Sequence, residues 1–206
     1  MAATEPVGPP DAPREQKRAR ITEVGSLLAL ATSFVALSLS AYQARLMNEQ
    51  TRLMQTQARA SVWPYVAIGY SISDEGENRG YRRQISNDGV GPARIESVTM
   101  TLDGQRVGNW RQVFRTLYGD ADVAATYSKI YGRVLPPSTN RETTIDALVL
   151  ANMEQAKTLY AAQDRLDMTI CYCSVYGDCW IAQGRNPDVK PVARCEKSGE
   201  LFEEKM

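Results

Sequence analysis

The chain's four cysteines carry the residues best placed for chemistry. Cys171, Cys173 and Cys179 fall in DMTICYCSVYGDCWIA, and Cys195 follows in a polar stretch. This segment reads as a strand, a Gly-Asp turn and a return strand. Cys171 and Cys173 share one face of the first strand. Side chains two apart on a strand stand parallel about 6.5 Å from each other, outside bridge geometry. Two pairings remain: Cys171–Cys179 with Cys173–Cys195, or Cys171–Cys195 with Cys173–Cys179. In an oxidising compartment bridges form, and Cys195 then staples the C-terminal stretch to the sheet. Four thiols can also hold zinc. The spacing C-x-C-x5-C-x15-C, however, lacks the paired C-x2-C knuckles of structural zinc sites, so zinc is the weaker reading. A redox C-x-x-C is absent, and neither a metal nor a cofactor is expected.

Other chemistry is thinly supported. The chain has no histidine, which removes the commonest general base and metal ligand. Ser128 and Lys129 adjoin on an expected strand, where neighbours face opposite ways. Asp120, Asp122 and Glu142 have no spacing that forces two carboxylates together. We therefore expect no enzyme and no catalytic residues. Lys+Arg and Asp+Glu both number 24, so no net charge points to nucleic acid. Trp180, beside the cysteines, reads as core rather than as a binding aromatic.

The element that positions everything else is Val24 to Tyr42, VGSLLALATSFVALSLSAY, without a charge. At ~1.5 Å per residue it matches a bilayer core of ~30 Å. Arg14, Lys17, Arg18 and Arg20 precede it, and the more scattered Arg45, Arg52 and Arg59 follow. The positive-inside rule then puts the N-terminus in the cytoplasm of a bacterial inner membrane, with the C-terminal domain periplasmic or extracellular. Ser38-Leu39-Ser40 could mark signal cleavage, but the apolar run exceeds the ~7–15 residues of a usual h-region. The expected organisation is a disordered basic tail over 1–20, a transmembrane helix and helical stalk over 21–60, a domain over 61–183, and a solvated tail over 184–206 that a disulfide can tether. Small residues at Gly25, Ala29 and Ser33, and a heptad of Leu39, Leu46 and Leu53, leave a homo-oligomer through span and stalk open.

Pro64 ends the helix. Val66, Ile68, Tyr70 and Ile72 then alternate as a strand with one buried face. Tyr81–Ser86 reads as a polar strand near an edge. In ISNDGVGPARIESVTMTLDG, Asn87-Asp88-Gly89 supplies a turn tolerant of positive φ. The apolar phase slips at Glu96-Ser97, which predicts a bulge, and Asp103-Gly104 closes a hairpin. Asn109 and Asn152 each cap a short amphipathic helix, the second running to Arg165 and packing Ala156, Leu159, Tyr160 and Leu166. Between them lie expected strands Tyr127–Leu135 and Arg141–Leu148, joined by a Pro136-Pro137 turn.

The pattern N-x-G-x-G-P-A over Asn87–Ala93 resembles loops of bacterial immunoglobulin-like sandwiches. With Trp63-Pro64-Tyr65 after a stalk, the chain also resembles uncharacterised single-span bacterial membrane proteins. The resemblance covers about half of the domain and implies architecture alone: a transmembrane helix plus a mainly-β, sandwich-like (immunoglobulin-like) domain with two short helices. The function expected is a membrane-anchored module that binds a protein or envelope component. The alternative is a scaffold subunit that assembles a membrane complex through its span and stalk.

Overall fold

The computed structural model describes residues 12–76, 79–119, 123–138, 143–184, 186–196 and 202. The chain divides into two compact units, residues 1–56 and 57–206. Asp120, Asp122 and Glu142 lie outside the described residues, as do residues 1–11 of the expected tail.

Helix α1 spans Ala12–Ala60. It therefore takes in Arg14, Lys17, Arg18 and Arg20, which were expected in a disordered tail. Arginine, lysine, glutamate and glutamine are good helix formers, and Pro13 sits in the first turn, where its missing N–H costs nothing. From Thr22 to Thr56 every residue is exposed, Phe34 by 71% and Leu37 by 70%. The helix is long and apolar enough to cross a membrane by length and composition. All five Ser and Thr hydroxyls within Val24–Tyr42 donate back to the helix's own carbonyls, as in Ser33 Oγ to Ala29 O at 2.7 Å and Ser40 Oγ to Ala36 O at 2.9 Å.

The second unit is mainly β, with two antiparallel sheets. Strands β1 (Val66–Ser73), β2 (Gly80–Asn87) and β6 (Ile145–Leu150) form the smaller sheet in the order β1-β2-β6. The larger runs β4 (Gln105–Val107), β3 (Ala93–Leu102), β7 (Leu166–Cys173), β8 (Cys179–Gln183) and β9 (Asn186–Val192), with β5 (Val134–Leu135) also on β3. One hydrophobic cluster draws on both sheets, from Tyr81, Ile85 and Leu148 to Val98, Met100, Met168 and Ile170. Helix α2 (Trp110–Tyr118) adds Trp110, Val113 and Phe114, and α3 (Met153–Ala161) adds Ala156 and Leu159.

Several local expectations hold. The β3–β7 register shifts between Ile95 and Ser97, which places the bulge at Glu96. Asp103 (φ 54°) and Gly104 (φ 78°) close the β3–β4 hairpin. Asn109 accepts from Gln112 N, and Gly119 ends α2 in the left-handed region. Gln112 reaches back to the N–H of Gly108 rather than that of the cap.

Others are corrected. β2 is the centre of its sheet, not near an edge: its charges lie on a strand whose Tyr81, Arg83, Ile85 and Asn87 all point inward and are buried. The end strands are β1, where Tyr70 is 47% exposed, and β6. The expected strand Tyr127–Leu135 shrinks to the two residues of β5, with an isolated bridge at Thr126 just before Tyr127, because Gly132 (φ 76°) turns the chain between them. Of the other expected strand, Arg141 and Glu142 lie outside the described residues, Thr143 and Thr144 are not strand, and β6 runs from Ile145 to Leu150. Helix α3 stops at Ala161, a 3-10 turn carries Gln163–Arg165, and Tyr160 is exposed against Tyr70 rather than packed inside. The polar C-terminal stretch is not simply solvated. Asn186–Val192 forms β9, the end strand beside β8, a place in a sheet where proline is tolerated, and Phe202 is 2% exposed with its ring edge-on to Trp110.

The segment after α1 is fastened by Asn87, which is fully buried. Its Oδ1 accepts from Tyr65 N (3.0 Å) and Gly89 N (3.2 Å). Its Nδ2 donates to Gly91 O (2.8 Å) and Leu135 O (3.0 Å). The glycines of this motif serve close approach rather than positive φ. A Cβ on Gly91 would stand 2.0 Å from Val62 O, and one on Gly89 2.4 Å from Tyr65 N.

Arg83 projects from the inward face of β2 and is 3% exposed. Its Nη2 donates to Gln163 Oε1 (2.6 Å) and its Nε to the Tyr81 hydroxyl (3.3 Å), while Gln163 Nε2 also donates to that hydroxyl (2.6 Å). Burial pushes the Tyr81 hydroxyl above its ordinary range, so Tyr81 stays neutral.

Candidate functional site

The cysteines sit where the β7–β8 hairpin meets the stretch after β9. The turn is set by Ser174 N donating to Asp178 O (2.8 Å), with Gly177 at φ 83°. That register puts Cys173 directly opposite Cys179, and their Cα atoms are 4.0 Å apart. Cys171 lies opposite Ile181 instead and bonds Cys195, with Cα atoms 5.7 Å apart. The second of the two expected pairings is therefore the one formed.

The two bridges touch, with 3.7 Å between the sulfurs of Cys173 and Cys195. The sulfurs of Cys173, Cys179 and Cys195 lie within 4.8 Å of one another, close enough to share an ion. All four sulfurs are nonetheless consumed in bridges, and zinc takes thiolates. In this state the cluster is a covalent staple. Trp180 is half-buried and stacks on Tyr172 with centroids 5.9 Å apart, packing against the core. Ser128 and Lys129 lie in irregular chain, not on a strand.

Apolar side chains are exposed at the hairpin turn. Val175 and Tyr176 are exposed, and the turn is tied to the last turn of α1 by Arg59 Nη1 and Asp178 Oδ1 at 3.1 Å. Both groups are open to water, so that pair contributes roughly 0–1 kcal/mol. Trp63 and Val90 are exposed too, joined by Val90 N donating to Trp63 O (2.9 Å).

The residue that sequence reasoning missed is Arg83. A signal existed: Arg83 shares the phase of Tyr81 and Ile85 along β2, and a charge in phase with core residues points inward.

Compared with protein-family models, curated proteins and solved structures, the chain matches none.

Proposed function

We propose that this chain is a single-span membrane protein of a bacterial envelope. Helix α1 crosses the inner membrane with its N-terminus in the cytoplasm. The β unit stands on the periplasmic or extracellular side as a sandwich-like, immunoglobulin-like module that binds a protein or envelope component and catalyses nothing. The observation that carries the reading is α1 itself: from Thr22 to Thr56 it buries none of its side chains, and every serine and threonine hydroxyl in its apolar run is satisfied by its own backbone. Lipid offers no partners to polar groups, and a helix with this inventory meets that demand. Two supporting facts are the bridging of all four cysteines, which suits an oxidising compartment, and the lack of histidine. The contact surface in this reading draws on the exposed Trp63, Val90, Val175 and Tyr176.

The test is membrane fractionation combined with thiol labelling in intact cells. The full-length chain should resist carbonate extraction, and its cysteines should react with a membrane-impermeant maleimide only after reduction. Crosslinking should capture a partner that is lost on Val175→Asp with Tyr176→Asp. Recovery in the soluble fraction, or thiols that are already reduced and reachable only after lysis, refutes the proposal.

A further inference from the structure

Arg83 is a buried cation whose protein partners are neutral. Among the described residues no carboxylate pairs with it, and its Nη1 has no acceptor. A charge removed from water demands a counter-ion, and neutral amide and phenol oxygens supply only part of that. Nη1 lies 3.7 Å from where a Cβ on Gly184 would stand, on the wall of a pocket of about 240 Å³. Ile68, Tyr70 and Leu166 give this pocket an apolar lining, and the exposed Asp164 also lines it.

We propose that this pocket binds a small organic carboxylate that also carries an ammonium group, an aliphatic α-amino acid being the chemical class that fits. The ligand's carboxylate takes the free Nη1 edge of the guanidinium, whose orientation is already fixed through Gln163 and Tyr81. Its ammonium pairs with Asp164, and its side chain lies on Ile68, Tyr70 and Leu166. Asp164 also explains the choice over inorganic phosphate, because its carboxylate repels a dianion more than it repels a monocarboxylate whose ammonium it can pair with. Size agrees: the volume lies below the ~300–1,000 Å³ of pockets that hold drug-sized ligands. The site uses none of the exposed apolar residues around the hairpin turn, and it stands whether or not those residues dock a partner.

Calorimetric titration of the full-length chain in detergent micelles tests this with four probes: leucine, 4-methylpentanoate, 3-methylbutylamine and inorganic phosphate. Leucine should bind most tightly, 4-methylpentanoate about tenfold more weakly, and the amine and phosphate not at all. Arg83→Gln should abolish binding of both carboxylates. Asp164→Asn should erase the difference between leucine and 4-methylpentanoate. Gly184→Ala adds a methyl that meets Met168 O, Arg83 Nη1 and Ile68 Cγ2 at ordinary contact distances of 3.6–3.7 Å. It should weaken leucine at least tenfold with an unchanged melting temperature, so the test survives if Arg83→Gln fails to fold. No binding by leucine at millimolar concentration, a preference for phosphate or the amine, or binding that Gly184→Ala leaves intact overturns the proposal.

Discussion

Asn87→Ala should be among the most damaging single changes in the β unit. The substitution removes four hydrogen bonds at once from a fully buried position. Tyr65 and Gly89 are half-buried, so water can reach their N–H groups once the side chain is gone. Gly91 and Leu135 are buried, and their carbonyls are left without the amide donor. Each orphaned buried group costs about 1–3 kcal/mol, so we expect about 4 kcal/mol in all. A domain is typically stable by ~5–15 kcal/mol, which makes this a large share. Urea unfolding followed by the fluorescence of Trp63, Trp110 and Trp180 measures it. Asn87→Asp sharpens the test. It keeps an acceptor for the N–H groups of Tyr65 and Gly89 but turns an oxygen toward the carbonyls of Gly91 and Leu135, so it should rescue little at neutral pH. A loss below about 1 kcal/mol for Asn87→Ala, or near-complete rescue by Asn87→Asp, would refute the assignment of Asn87 as the fastener.

Loop length ranks the two bridges. The Cys171–Cys195 bridge spans 24 residues and the Cys173–Cys179 bridge only 6. On loop-closure entropy the first should stabilise by about 3 kcal/mol and the second by about 2 kcal/mol, so urea midpoints should fall further for Cys171→Ser with Cys195→Ser than for the other double variant. Phe202→Ala should cost about 3–5 kcal/mol in thermal or urea unfolding, far more than any change in a solvated tail. Burial pushes the hydroxyls of Tyr118 and Tyr172 up to about 12. Their folded pKa values exceed the unfolded ~10, so this contribution is intact below pH ~10 and disappears as the pH climbs to ~12. The urea midpoint should fall across that window, and absorbance at 295 nm should show three late-ionising tyrosines, Tyr81 with these two, that become ordinary on unfolding.

What the sequence disclosed followed from local rules. The bulge at Glu96 was legible because alternation breaks there, and the two asparagine caps because Gln follows three residues after each. Features that depend on distant chain were hidden. The charges of Arg82 and Arg83 suggest an edge, yet Arg82 is matched by Asp146 across β6 (2.8 Å) and Arg83 by the Gln163 amide, partners 64 and 80 residues away. The glycines of Asn87–Ala93 read as turn residues, whereas the constraint on Gly91 is the Val62 carbonyl pressed against it. The cysteine pairing was narrowed to two options, and choosing between them required the hairpin register. Phe202 gave no warning, being one aromatic among charged residues.

β1 follows α1 within a few residues and among the described strands pairs only with β2, so tension on α1 would peel that strand like a zipper from its end. The amide of Asn87 sits ahead of the first rung, grips Tyr65, and shares the load with β2 and with the carbonyl of Leu135 beside β3. A tug would then have to shear several contacts together rather than undo them one at a time, which makes the joint a mechanical clutch as well as a packing motif.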